Sequence, residues 1–426
     1  MMLRSAPGRT WTLGLVSLAL AAAAPALAGQ DQLAVRAGRI LPVVGDPIEN
    51  GVILIEDGRI SAVGGADLRI PSRARVVDAS DKVVIPGIVD VHSSRGMDSA
   101  NEDNPEVPFA TVLDSIDPSH EFFKDSLRNG VTSIAVVPGN NTMIGGQAAV
   151  VKPVGLMIED MILRRSAGLK IALRPTGNRS RMSQMAALRR SLNDVRDYIS
   201  TELEERGDSD EAAQPDIRRE AMVRLLRGEI PAFLYCERAM DVRHALELVN
   251  EFRLKGILVL DGECYKAVDR VAASGLPVVI GPQLAYWQTH PVTDEDEYIT
   301  LPSIYAGAGI KPTFQVTGAG GGSLLGANFH WYQAATNVRH GAPAAEALES
   351  ITIRPARQLG VDSLVGSIEV GKDADLVILS GEPLELGTWV EKVIVNGRIA
   401  YDRAEDAMIR DLLNPKTNSA VDGAEK

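Results

Sequence analysis

VVIPGIVDVHSSRGM, residues Val83–Met97, decides how this chain is read. Val83, Val84 and Ile85 form a β-branched run that Pro86-Gly87 interrupts. Ile88-Val89-Asp90-Val91 then resumes as a short buried strand that ends at His92. A strand that delivers a histidine to its C-terminal end, just before a loop, is how a (β/α)8 barrel places its first active-site residue.

Downstream of this strand the chain alternates helix and strand, as a mostly parallel sheet requires. Asp117-Pro118-Ser119 opens a helix with Phe122, Phe123 and Leu127 on one face, and Asn129-Gly130 closes it. Strands are expected at Val131–Val137, at Ala148–Val151 leading to Lys152, at Ala232–Cys236, Gly256–Leu260, Pro277–Ile280 and Thr313–Val316. Helices fall at about Met240–Phe252 and Lys266–Ala273. Met182–Leu203 reads as a long helix with Leu188, Leu192, Val195 and Ile199 at a period of three to four. The acidic linker Gly207–Asp216 makes the stretch 176–220 an expected helical insertion.

Upstream, residues 31–80 read as short strands and tight turns. Asp57-Gly58 between Gly51–Glu56 and Arg59–Val63 is a two-residue hairpin signal, and Asn396-Gly397 between Val390–Val395 and Arg398–Tyr401 is another. Two strand-rich ends enclosing an α/β region predict a small β-sandwich built from both of them. The expected organisation is therefore a signal peptide (1–28), a first sandwich part (29–84), the barrel (85–356), a second sandwich part (357–402) and a flexible polar tail (403–426). Arg4 and Arg9, the apolar run Trp11–Ala24 and the small-x-small site Ala26-Leu27-Ala28 carry the signal-peptide reading. They predict a periplasmic protein without a membrane anchor, since the apolar run is too short to span a bilayer. The 426 residues carry 56 acidic and 44 basic side chains, net −12. That acidic balance without basic clusters argues against nucleic-acid partners.

Two motifs carry a resemblance. Pro86-Gly87-Ile88-Val89-Asp90-Val91-His92 resembles the PG-[LIV]-[LIV]-D-x-H-x-H run of the amidohydrolase superfamily, and Gly366–Leu379, GSIEVGKDADLVIL, resembles its C-terminal signature. The imidazolonepropionase and Xaa-Pro-dipeptidase branches of that family are the nearest in pattern. The resemblance covers about residues 33–402. It implies a metal-dependent hydrolase of carbon–nitrogen bonds, with zinc or manganese held by an HxH pair, a bridging lysine, two further histidines and a late aspartate. Such a metal lowers the pKa of its bound water to about 7.

By that resemblance His92 is the first ligand, while Ser94 stands in place of the second. Lys152 matches the bridging lysine. The strand that should end in a histidine ends Tyr235-Cys236-Glu237, the next ends Leu260-Asp261-Gly262-Glu263-Cys264, and Thr317 is followed by Gly318 instead of an aspartate. The candidate metal residues are thus His92, Lys152 and Glu237, and the expected pocket residues are Ser94, Tyr235, Glu263, Thr317 and Gly318. Of the six histidines only His92 ends a strand. A remodelled mononuclear site from His92, Glu237, Asp261 and Glu263, with Cys236 or Cys264 as softer ligands, is one reading. Hydrogen-bonded polar residues at a barrel mouth, with Lys152 an ammonium paired to one of these acids, is the other.

Cys236 and Cys264 follow consecutive predicted strands, so a disulfide between them is an open reading. Gly318–Ser323, GAGGGS, follows a strand but matches neither G-x-G-x-x-G nor a Walker loop, and space-filling is the expected use. Tyr286-Trp287 and Phe329-His330-Trp331-Tyr332 are expected as packing residues or pocket walls. Two function classes follow. One is an active hydrolase of small amides, dipeptides or cyclic ureides. The other is a relative that has lost catalysis and acts as a binder, a homodimer, or the partner of an active paralogue.

Overall fold

The computed structural model describes residues 32–204, 216–290, 292–316 and 329–413. The expected signal peptide, the linker at 205–215 and the Thr317–Ser323 stretch lie outside the described residues.

Strands from both ends of the chain share one eight-stranded sheet. Arg75–Pro86 is its central member. It pairs in parallel with Gln32–Ile40 and antiparallel with Leu376–Leu379, which brings the two ends together. Val52–Glu56 and Arg59–Gly64 extend one side, and Val390–Val395 and Arg398–Asp402 the other. Both dipeptide turns take left-handed backbone at each central residue, with φ of 50° and 81° at Asp57-Gly58 and 48° and 72° at Asn396-Gly397. That is the conformation a two-residue hairpin needs and Asn/Asp-Gly tolerates. The sheet curls, because the Asp57-Gly58 hairpin reaches round to the approach of Leu376–Leu379: Ala374 N–H donates to Gly58 O (2.8 Å) and Ile60 N–H to Lys372 O (2.9 Å). One face buries Val35, Ile53, Ile55, Leu376 and Ile394, the other Val83, Ile85, Val377 and Val393.

Pro86-Gly87 hands the chain from this sheet to the barrel. A Cβ on Gly87 would sit 1.9 Å from Thr132 Oγ1, and Thr132 is buried. Only glycine lets the two strands approach so closely. Gly87→Ala should therefore cost about 1–3 kcal/mol through overpacking, read as a lower urea midpoint with unchanged slope.

Eight strands then form a nearly closed barrel: Ile88–Ser93 (β1), Val131–Val136 (β2), Ile144–Val151 (β3), Ile162–Ala172 (β4), Ala232–Cys236 (β5), Gly256–Leu260 (β6), Val278–Ile280 (β7) and Thr313–Phe314 (β8). They pair in chain order from β1 to β8. Val89, Ala135, Val150, Phe233, Tyr235, Val259 and Val279 pack together in one cluster; Ile88, Ile134, Leu169, Leu234 and Leu258 join the helices in a second, larger one. This alternation follows from the two-residue period of a strand. Each fully buried Val, Leu or Ile contributes about 1.5–3 kcal/mol.

Several expectations fail here. β3 runs antiparallel to both β2 and β4. Only residues 137–143 join β2 to β3, too few for the crossover of a dozen or more residues that a parallel pair needs. The strand therefore turns straight back, and its C-terminal end, with Lys152, lies at the opposite end of the barrel from those of β1, β4, β5 and β6. β4 is not among the expected strands at all. The helix Arg181–Tyr198, begun by a Ser180 capping box, packs Leu188, Leu192 and Val195 into the main core. It belongs to the barrel's outer layer and is no excursion from it. Within the expected flexible tail, Arg403–Glu405 and Ala407–Leu413 are helical, with Asp406 holding Arg128 at 2.8 Å, and residues 414–426 lie outside the described residues.

Candidate functional site at the barrel mouth

The C-terminal ends of β1, β4, β5 and β6 bring His92, Lys170, Tyr235, Glu237 and Asp261 to one end of the barrel. Lys170 Nζ lies 2.9 Å from His92 Nε2, and both residues are buried. The ammonium also sits 5.2 Å from the centre of the Tyr235 ring, and Phe233 meets the His92 ring edge-on at 6.0 Å. Burial is the largest cause pulling His92 well below its usual value, with the Lys170 charge adding to it. Burial likewise brings Lys170 down to about 7. When Lys170 is charged it can only donate, and His92 Nε2 is then its acceptor.

Lys170 therefore stands in the place expected for Lys152. Lys152, at the end of the reversed β3, is at the other end of the barrel. There its ammonium meets Asp373 (2.8 Å), Asp375 (2.9 Å) and Asn396 Oδ1 (2.5 Å). Its acidic neighbours are those of the GKDADL signature and not Glu237, Asp261 or Glu263 at the mouth. The signal for Lys170 is present in the sequence: one lysine inside the apolar run Ala167–Leu173.

The mouth carboxylates are all occupied. Glu237 faces Arg174 (3.6 Å) and Arg181 (3.4 Å). Arg181 in turn holds the buried Asp241 at 2.7 Å, whose carboxylate raises the guanidinium's pKa. Asp261 accepts from Tyr235 Oη (3.2 Å) and from Gly262 N–H (2.8 Å). Burial first, then Asp261, raises the Tyr235 phenol's pKa, so it remains a donor. Glu263 turns outward to Lys266 (3.7 Å). Ser94 Oγ donates to Val137 O (2.9 Å) and ties β1 to the loop after β2. Thr317 and Gly318 lie outside the described residues.

The disulfide left open by the sequence is not formed here. Cys236 and Cys264 are both free and buried, and the Cys264 thiol donates to Cys236 O at 3.2 Å. Cys236 points into the outer core, away from the barrel interior, because it alternates with Tyr235. Burial raises both thiols, so neither is a ready metal ligand. Trp287 is largely exposed on the hairpin Ala285–Thr289/Asp296–Thr300, stacked on Tyr298 at 5.0 Å.

Among the described residues no three His, Cys, Asp or Glu side chains converge as a metal site needs. The described residues at the mouth do not fit the divalent metal that the resemblance implies.

Residues 315–400 match the model of the amidohydrolase family. An amidohydrolase from Thermotoga maritima MSB8 superposes with a TM-score of 0.77 at 28% identity, covering 87% of this chain and all of that one. The chain is similar to amidohydrolases in sequence over its C-terminal part and in fold over most of its length. Among curated proteins the chain is 25% identical over 400 residues to the amidohydrolase tasK of Hapsidospora irregularis, matching 83% of itself but 40% of tasK. It thus spans about two fifths of that relative's length. It is also 23% identical over 416 residues to a 5-methylthioadenosine/S-adenosylhomocysteine deaminase of Moorella thermoacetica, covering 86% of this chain and 93% of the deaminase.

Proposed function

We propose that this chain is an amidohydrolase-fold protein whose own hydrolysis is impaired or lost and which works as the non-catalytic partner of an active amidohydrolase. The observation that carries the reading is the Lys170–His92 contact, together with carboxylates that already serve Arg174, Arg181 and Tyr235. Generating hydroxide at neutral pH needs a metal or a well-placed base; the described mouth residues gather no metal site, and His92, Glu237 and Asp261 are engaged with Lys170, Arg174, Arg181 and Tyr235. In this reading residues 1–28 direct export to the periplasm, and the curled sheet serves as the family's accessory β-sandwich.

Elemental analysis of the full chain purified without chelator should find far less than one zinc or manganese per chain. Adding either metal should leave carbon–nitrogen hydrolase activity at background. Near-stoichiometric metal, with activity lost on chelation and lost again in His92→Ala, would establish instead a remodelled mononuclear hydrolase.

A further inference from the structure

A cavity of about 670 Å³ lies outside the barrel wall, between the helix Glu121–Arg128, the helix His330–Arg339 and the strand Val390–Val395. Its size is that of a small-molecule site, and none of the mouth residues Lys170, His92 or Tyr235 lines it.

Its walls are unusually aromatic for a chain with 4% aromatic residues: Phe122, Phe329, Trp331, Tyr332, Trp389 and Tyr401. Trp331 is fixed there by donating its indole N–H to Asn129 O at 2.7 Å. Two guanidiniums are stacked on these walls, Arg95 on Phe122 (4.8 Å) and Arg403 on Trp389 (5.1 Å). Neither has a carboxylate within ion-pair distance among the described residues, whereas the third arginine, Arg128, is spent on Glu121, Asp125 and Asp406. Asp90 and His330 also line the cavity, 1% and 4% exposed. His330 Nε2 is 3.5 Å from Asp90 Oδ1 and has no hydrogen-bond partner. A buried polar atom left in that state is costly unless something completes it.

We propose that this cavity binds a small aromatic carboxylate that carries a second, hydrogen-bonding polar group, the class of hydroxyaryl acids and aromatic amino acids. The rings take the aromatic body, and the stacked guanidiniums take the carboxylate in the bidentate geometry that arginine favours. The Asp90–His330 pair takes the second polar group. Asp90 and the exposed rim residue Glu385 offset the two free arginines, so a singly charged acid suits the site better than a phosphate or other polyanion.

Two of the four tryptophans line the cavity, so binding reports itself. Titrating the full chain with 4-hydroxyphenylacetate, read by tryptophan fluorescence and by calorimetry, should give saturable binding. Phenylacetate, without the hydroxyl, and tyrosol, without the carboxylate, should each bind about tenfold more weakly, a loss of about 1.4 kcal/mol. The double variant Arg95→Gln/Arg403→Gln should lose that factor for the acid and not for tyrosol, its circular dichroism being unchanged. His330→Gln should equalise 4-hydroxyphenylacetate and phenylacetate. The proposal is overturned if neither 4-hydroxyphenylacetate nor L-phenylalanine saturates the signal at millimolar concentration. Binding of 4-hydroxyphenylacetate that the double variant leaves untouched overturns it equally.

Discussion

Lys170→Met should make the protein more stable at neutral pH, by several kcal/mol, and should flatten the dependence of stability on alkaline pH. Burial brings the folded-state pKa of Lys170 from 10.5 to about 7. The unfolded chain keeps that proton up to its ordinary pKa, while the native chain gives it up near 7. Between those values the unfolded state binds more protons, so stability rises with pH across the window and is level below it. Each tenfold loss of proton affinity on folding is worth about 1.4 kcal/mol, so the whole contribution is on the order of 4–5 kcal/mol. An unbranched apolar side chain fills the same space without the desolvation cost. Urea midpoints at pH 7, 8.5 and 10 for both proteins check this. A wild-type slope that survives in Lys170→Met would mean that another group titrates there.

Lys152→Met should do the opposite. Its ammonium is almost wholly buried between Asp373 and Asp375, where burial already raises the Asp375 pKa in spite of the lysine. Removing the cation leaves two carboxylates in a closed space, and breaking a buried pair in this way costs about 3–5 kcal/mol. Hydrogen exchange should quicken first at Leu376–Leu379, since Asp375 also accepts from Asn396 N–H (2.9 Å) and so anchors that strand's neighbour. Lys152→Met/Asp375→Asn should recover part of the loss, the coupling expected of groups in contact. If the single variant melts with the wild type, the cluster contributes nothing to stability.

These two lysines also show what the sequence can and cannot disclose. The Asp57-Gly58 and Asn396-Gly397 hairpins are legible because a left-handed turn is a local demand that only a few residues meet. The strands β5, β6 and β7 are legible because each is a short apolar run bounded by breakers. Lys152 falls at the mouth only if its strand takes the direction of its neighbours. Direction depends on the length of the preceding connection, and residues 137–143 are too few for the crossover a parallel strand requires. β4 is hidden because it opens on Leu163-Arg164-Arg165-Ser166, polar enough to pass for a loop. With β4 goes Lys170, the residue that holds His92. Pairings such as Arg181 with Asp241, or Tyr235 with Asp261, join separate elements, and no spacing along the chain announces them.

The central strand Arg75–Pro86 has one neighbour at Gln32–Ile40 and the other at Leu376–Leu379. During synthesis its first partner is already made when it emerges, and its second comes only after nearly three hundred further residues. Until then one side of a buried, β-branched ribbon offers unpaired amides and carbonyls to any other nascent chain, which is the template for intermolecular association. Truncation anywhere before Leu376 makes that transient hazard permanent.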